Sequence, residues 1–262
     1  MASVKAMLDC IGVDTSRSIS VLGHFFGFLR RRVPTDPEPS ATAAVSLLQQ
    51  VREVQGQHIH LNVIRVGFDL IADADQDEAV ERLDYAIYKT RNIYRQVNLG
   101  VGRVEHYFIT SAEADNNDDL GDEDEAEELW ENWSVDNNGI DVFVVRNISD
   151  DDFVGLSPIS GRCTKGRKND GLIGGEINRG FDEVARTFAH EIGHFLGLEH
   201  NHDSGEDCEN CPDTIAGRDN LMAQTRCTNT TCGGNGVRNS TVLTNSQGNT
   251  MRDHCSVRDG CT

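Results

Sequence analysis

The sequence has no long apolar run, and its positive charges are few. No segment reaches the roughly 20 consecutive apolar residues of a membrane-spanning helix, so no membrane span is expected. Only 24 Lys and Arg stand against 43 Asp and Glu, and the formal net charge is −19. A surface of this charge repels phosphate backbones and anionic lipids. The composition therefore excludes nucleic-acid binding and membrane-surface binding as first hypotheses.

Proline is also scarce, and its distribution indicates how the chain is organised. Three of the five prolines lie in "VPTDPEPS", at positions 33–40, which predicts a linker. We therefore expect an N-terminal extension over residues 1–55 and one large domain over residues 56–262, which is long enough to bury a core. The extension is either a pro-segment that covers a functional site or an ordinary pair of N-terminal helices.

Cysteine is rare in most of the chain and concentrated near its end. Because the N-terminus lacks the basic start and apolar run of a secretory signal, we expect any such signal to be absent from this chain. An even, clustered set of cysteines nevertheless predicts disulfides and an extracellular protein. Six of the eight cysteines lie in the last 55 residues: Cys208, Cys211, Cys227, Cys232, Cys255 and Cys261.

From His58 onward, strand-like and helix-like segments alternate. Residues 77–100 carry the apolar stripe of a helix, with Gly100 as a stop signal. The predicted strands are "HIHLNVIRVGF", "GRVEHYFIT", "IDVFVVRNI" and the short "DGLIGGEIN", which we expect at a sheet edge. Strands separated by helices predict an α/β fold with a mostly parallel sheet.

An acidic insertion, "EADNNDDLGDEDEAEE", lies between two of these strands. Asp115, Asn117 and Asp119 have the spacing that begins an EF-hand loop, but Leu120 occupies the sixth position, where that loop needs Gly. A solvated acidic loop is the favoured interpretation, and a Ca²⁺ site of another geometry is the alternative.

The segment "FDEVARTFAHEIGHFLG" predicts an amphipathic helix with Asp182 as candidate N-cap and Gly197 as the residue after its end. His190 and His194 lie one turn apart, so both imidazoles face the same point. They lie opposite the apolar face, which is formed by Ala185, Phe188, Ala189, Ile192 and Leu196.

A third histidine follows at a spacing that requires a bend. On a straight helix His200 would lie about 120° away from His194, but Gly197 tolerates a left-handed conformation and lets the chain turn back. Three imidazoles form a partial zinc site that leaves one coordination position for water. Glu191 lies beside the histidine face, where it can act first as general base and then as general acid.

These residues resemble the metzincin zinc endopeptidases. His190, Glu191, His194, Gly197 and His200 occupy all five fixed positions of H-E-x-x-H-x-x-G-x-x-H. The resemblance implies a catalytic Zn²⁺ and hydrolysis of peptide bonds in protein or peptide substrates by a metal-activated water. It also implies that Met222, in "RDNLMAQT", lies beneath the metal in a methionine turn.

The resemblance implies a fold as well. The expected domain has a twisted mixed sheet with long helices in an upper subdomain, which ends at about residue 197. A smaller irregular lower subdomain follows over about residues 198–262. Residues 171–178 would be the cleft-edge strand that pairs with an extended substrate. The cysteines around Met222 and a closing helix at 243–254, with the capping-box pair Thr244 and Gln247, are similar to the pappalysin-like branch.

Other interpretations stay open from sequence alone. A zinc-containing binding or inhibitory module without peptidase activity would keep the histidines, although it would not need Glu191. A metal-dependent hydrolase of non-peptide substrates is a third hypothesis. Cys10 and Cys163 either pair with each other or place one thiolate over the metal as a latch. A structural zinc site is the alternative to disulfides for Cys208, Cys211, Cys227 and Cys232.

Overall fold

The computed structural model describes residues 53–150, 152–165, 170–201, 219–223 and 240–260. The predictions for most of the extension and for six cysteines lie outside the described residues. The division at residue 55 therefore stays a prediction. The cysteines concerned are Cys10, Cys208, Cys211, Cys227, Cys232 and Cys261.

Strands and helices alternate along the described chain, as predicted. The strands are β1 (Gln57–Val66), β2 (Gly100–Ile109), β3 (Asp119–Leu120), β4 (Ile140–Val145), β5 (Asn147–Ile148), β6 (Gly171–Glu176) and β7 (Arg258–Asp259). The helices are α1 (Asp73–Arg95), α2 (Glu123–Asn132), α3 (Phe181–Phe195) and α4 (Asn245–Arg252). The predicted α/β class is confirmed.

The main sheet has the order β2-β1-β4-β6, and these four strands are parallel. The short β7 pairs antiparallel with the start of β1, so the sheet is mixed. Because side chains alternate along a strand, β4 contributes Val142 and Val144 to one core and Phe143 and Val145 to another. The first core includes residues of α1 and α3, and the second includes residues of α2. Helices on both faces explain why residues 142–145 of β4 are all apolar.

The outer side of β6 is covered by another part of the chain. All six residues of β6 are buried. Ile173 and Leu156 exchange two antiparallel backbone hydrogen bonds, of 2.8 and 3.1 Å. The prediction that residues 171–178 form the cleft-edge strand is therefore wrong, because the segment around Leu156 occupies that position. This segment, "FVGLSPISG", contains Gly and Pro and lacks the apolar alternation that identifies a strand.

The predicted pairing of Cys163 is also wrong. Cys163 forms a disulfide with Cys255 across 92 residues of sequence, and not with Cys10. Cys163 consequently has no thiolate with which to act as a latch over a metal. The membership of Cys255 in a disulfide is confirmed, but its partner lies outside the C-terminal cluster.

The acidic insertion does not form a calcium site among the described residues. Asp119 accepts a hydrogen bond from Asn147 at 2.7 Å, and Asn117 donates to Glu128 at 3.1 Å. Neither of the two metal-capable clusters of His, Cys, Asp and Glu in the described chain contains an acidic residue. The Ca²⁺ alternative is unsupported there.

Two histidines of β1 are buried in their neutral form. His58 is 1% exposed and His60 is 6% exposed. The backbone N–H of Arg103 donates to His60 Nδ1 at 3.0 Å, so this nitrogen carries no proton. Burial lowers the pKa of His60 from 6.5 to about 3, and the neighbouring His58 and Arg103 act in the same direction.

We expect the free energy of unfolding to decrease as pH falls from 6.5 toward 3. The unfolded chain protonates His60 below its ordinary pKa, whereas the folded protein keeps it neutral until about pH 3, so protons favour unfolding across this window. At about 1.4 kcal/mol per pH unit, His60 accounts for a loss of about 2 kcal/mol between pH 6.5 and about 5. Urea denaturation should show a shallower decline for His60→Asn, whose amide oxygen still accepts from Arg103. Equal slopes for the two proteins would refute this prediction.

Candidate metal centre

The helix α3 carries two of the candidate metal ligands at its C-terminal end. It begins after the N-cap Gly180, not at Asp182 as predicted; Asp182 lies in the first turn, where a negative charge favours the helix dipole. Its end is a Schellman motif: Gly197 N donates to His194 O at 2.8 Å, and Leu198 N donates to Gly193 O at 3.0 Å. Gly197 has a φ of 93°, the left-handed conformation predicted for it.

This turn brings the three predicted histidines together. His194 Nε2 lies 3.0 Å from the Nε2 atoms of both His190 and His200, and the latter two are 3.2 Å apart. The other ring nitrogens contact carbonyl oxygens: His190 Nδ1 lies 2.7 Å from Leu221 O, and His194 Nδ1 lies 2.6 Å from Leu198 O. These acceptors place the protons on Nδ1 of His190 and His194 and leave their Nε2 lone pairs facing the common centre.

The donor set fits a zinc ion. Burial lowers the pKa of both His190 and His194, which keeps them neutral. Three neutral nitrogens whose lone pairs converge repel each other unless a cation lies between them. Zinc–nitrogen bonds of about 2.0–2.1 Å in a tetrahedral site require nitrogens about 3.3–3.4 Å apart, close to the 3.0–3.2 Å found here. His200 is more exposed than the other two, so the centre opens toward solvent on its side.

Glu191 is buried beside the histidines, at 6% exposure. Burial raises the pKa of its carboxyl to about 8, and the nearby Arg186 partly opposes this. Its side chain packs against the backbone of Gly155: a Cβ added there would lie 2.8 Å from Glu191 Cγ and 3.0 Å from Oε1. Glycine at position 155 therefore leaves the space that the carboxylate occupies. A divalent cation nearby would favour the ionised form of Glu191.

Met222 lies beneath the same turn of α3. It is fully buried, and its Sδ would be 2.9 Å from a Cβ added at Gly193, between the two histidines of the helix. The backbone of Asn201, the residue after the third histidine, donates to Met222 O at 3.1 Å. Met222 thus lies against the turn of α3 between the two histidines, and its role in a methionine turn stays a prediction.

Three polar residues around the centre were not predicted to lie there, although Gln247 was named as a capping residue. Arg186 is 6% exposed and donates to the backbone carbonyl of Ala223, the residue after Met222. Asn220 and Gln247 bond to each other below the same turn. The only sequence signal for Arg186 is its position one turn before His190.

A tethering contact also holds α3 against the other long helix. The hydroxyl of Tyr94 in α1 donates to Ala189 O at 2.7 Å, and burial raises the pKa of this hydroxyl well above its ordinary value. The carbonyls at the end of α3 are satisfied by the segment that follows Leu156, because Ser160 N and Gly161 N donate to His194 O and Phe195 O. The bond from Tyr94 and the two bonds from Ser160 and Gly161 hold the backbone of α3 that carries His190 and His194 in place.

The fold and the site together define a metallo-peptidase: a mostly parallel α/β sheet beside a helix with H-E-x-x-H and a third histidine after a glycine turn. The model of Metallo-peptidase family M12B Reprolysin-like matches residues 74–251, and the chain belongs to this family. The predicted membership of a metallo-peptidase family is thereby confirmed. The pappalysin-like branch stays a prediction.

Similar solved structures were also found. Metalloproteinase-II from Bacteroides fragilis is 11% identical with a TM-score of 0.44, and the match covers 95% of this chain and 61% of that chain. A structure described as a chaperone-substrate complex is 15% identical with a TM-score of 0.43, covering 77% and 36%. The chain thus spans less than two thirds of either protein. The search of curated proteins found no match to the chain. None of the helices in the described ranges is long and apolar enough to cross a membrane.

Proposed function

We propose that the protein is a zinc-dependent endopeptidase whose metal is held by His190, His194 and His200. The observation that supports this most is the convergence of three Nε2 atoms, two of them on rings fixed by backbone carbonyls. Zinc in such a site supplies Lewis acidity, which activates water and polarises the scissile carbonyl. The chain provides the rigid ligand geometry and the groups that move protons.

Glu191 is the proposed general base and then the general acid. It accepts a proton from the water that attacks the peptide carbonyl, and it gives this proton to the leaving nitrogen. Its burial supports this role, because a carboxyl with a raised pKa exchanges protons near neutral pH. The close fit against Gly155 restricts its side chain to one position beside the metal centre.

Gly197 and Met222 support the site without touching the substrate. Gly197 makes the turn that returns His200, and its φ of 93° would strain any other residue. Met222 fills the space below Gly193 and thereby limits downward movement of the ligand-bearing turn.

The segment around Leu156 is the proposed binding edge for a peptide substrate. Leu156 turns both its N–H and its C=O toward Ile173 of β6. The flanking residues Gly155 and Ser157 would supply the backbone groups that pair with a substrate. An extended peptide can pair there by strand addition, next to Glu191. Peptide recognition by main-chain bonds favours protein and peptide substrates of varied sequence.

Casein zymography of the zinc-loaded protein tests the proposed function. We expect a cleared band that disappears with a metal chelator and returns when zinc is restored. A binding or inhibitory module would give no band under any of these conditions. Clearing that is unaffected by the chelator would show that the cleavage does not use this metal centre.

A further inference from the structure

The turn that carries Met222 has a side-chain anchor on the C-terminal helix. Asn220 is 1% exposed, and its Nδ2 donates to Gln247 Oε1 of α4 at 2.9 Å. In return, Gln247 Nε2 donates to Asn220 Oδ1, also at 2.9 Å. The two amides therefore form a reciprocal pair with two parallel hydrogen bonds.

Two backbone N–H groups fix the orientation of this pair. Thr244 N donates to Gln247 Oε1 at 2.9 Å, so this atom must be the oxygen and its neighbour the donor. Met222 N donates to Asn220 Oδ1 at 2.9 Å, which assigns the second amide in the same way. These four hydrogen bonds connect the backbone of Thr244 at the N-terminus of α4 to the backbone of Met222, and in each one a donor meets an acceptor. Exchanging the nitrogen and oxygen of either amide would place donor against donor or acceptor against acceptor.

The same turn orients a metal ligand. The bond from Met222 N to the side chain of Asn220 closes an Asx-turn, which sets the direction of the intervening peptide groups. The carbonyl of Leu221, inside this turn, contacts His190 Nδ1 at 2.7 Å. The position of that carbonyl determines the tautomer and the ring direction of His190.

We propose that Asn220 and Gln247 are positioning residues, through which α4 holds the Leu221 carbonyl against His190 and so orients this histidine for zinc. The inference rests on the proposed zinc site. It assigns Gln247 a function beyond capping α4, because the capping box uses only its Oε1, which accepts from Thr244 N, and not its Nε2, which donates to Asn220. Neither residue contacts the metal or the substrate.

Gln247→Glu separates positioning from capping. Glutamate still accepts from Thr244 N and preserves the cap, but it replaces the donor Nε2 by an oxygen that faces Asn220 Oδ1. We expect zinc affinity, measured by competition with a chromophoric chelator, to fall about 10- to 100-fold, as for other partners of metal ligands. Nitrogen NMR of the metal-free protein should show His190 losing its single Nδ1–H tautomer.

Thr244→Ala is the matched control. It removes the hydroxyl that accepts from Gln247 N at 3.2 Å and donates to Gln247 Oε1 at 3.1 Å, but it leaves both hydrogen bonds between the two amides. This variant should unfold at a lower temperature with zinc affinity and the His190 tautomer unchanged. Asn220→Asp, which keeps the acceptor for Met222 N and loses the donor to Gln247, should reproduce the effect of Gln247→Glu.

The outcomes distinguish this inference from the proposed function. If the unmodified protein binds no zinc, the proposed metal site itself fails. If it binds zinc and Gln247→Glu binds it within about twofold of that affinity, the positioning role is wrong. Failure of both Gln247→Glu and Asn220→Asp to fold, while Thr244→Ala folds, would also overturn it, because the pair would then be a structural tie.

Discussion

Peptide cleavage by Glu191→Gln is expected to fall by a factor of about 10² to 10⁴, the usual contribution of a general acid–base group, while zinc stays bound. Glutamine has the same size and fills the space against Gly155, so the helix and the histidines should keep their positions. It cannot accept a proton from water. The measurements are kcat/KM on a quenched fluorescent peptide and zinc content by elemental analysis.

The control for this substitution is Glu199→Gln. Glu199 is exposed and lies directly before His200, so its replacement removes one negative charge near the metal centre without removing a buried base. Turnover by Glu199→Gln should stay close to that of the unmodified protein. Turnover retained by Glu191→Gln would show that another group moves the proton, and loss of zinc would assign Glu191 to metal retention.

The features predicted correctly from the sequence are those in which neighbouring residues determine the structure. The burial of β1 along almost its whole length and the apolar run at 142–145 in β4 follow from their places in the sheet. The histidine spacing and Gly197 specify a helix and its end within eleven residues. The structure has the N-cap at Gly180, two residues before the predicted Asp182, because the extended Gly180 fills that position without a side-chain bond.

The features that the sequence did not reveal depend on distant partners. Leu156 pairs with the sheet through its two backbone hydrogen bonds to Ile173. Gly155 and Pro158 interrupt the apolar alternation by which a strand is recognised in the sequence. Cys163 pairs with Cys255 because the segment beyond Gly161 lies next to the end of α4. The spacing of the cysteines in the sequence does not predict this contact. Arg186 donates to a backbone carbonyl, and because every residue has one, the sequence does not indicate which carbonyl accepts the bond.

The partner of Cys163, which is Cys255 and not the predicted Cys10, shows the same limit. Clustering in the sequence groups Cys255 with the other C-terminal cysteines. In the fold, the chain after α4 returns to the end of α3, where His254 packs against Phe195. An even cysteine count predicts that disulfides exist but not which residues they join.

The second large effect is expected for His194→Ala, which should remove stoichiometric zinc and with it all chelator-sensitive cleavage. Its Nε2 lies 3.0 Å from both other ligand nitrogens, so deleting it leaves two imidazoles that cannot enclose the ion. The loss should exceed the factor of about 10 to 100 that is typical of a residue acting behind a ligand. Elemental analysis after gel filtration gives the zinc content directly.

Zinc-dependent stability separates metal loss from unfolding. A ligand at about 100 times its Kd adds about 2.7 kcal/mol to the free energy of unfolding, so the unmodified protein should unfold at higher urea with zinc than with chelator. His194→Ala should unfold at one midpoint in both conditions, because without the third nitrogen the folded state gains nothing from the ion. His106→Gln, a change at an exposed histidine of β2, should keep the full zinc response. A zinc-dependent midpoint in His194→Ala equal to that of the unmodified protein would place the metal elsewhere, since no site that includes His194 can lose this ligand without losing affinity.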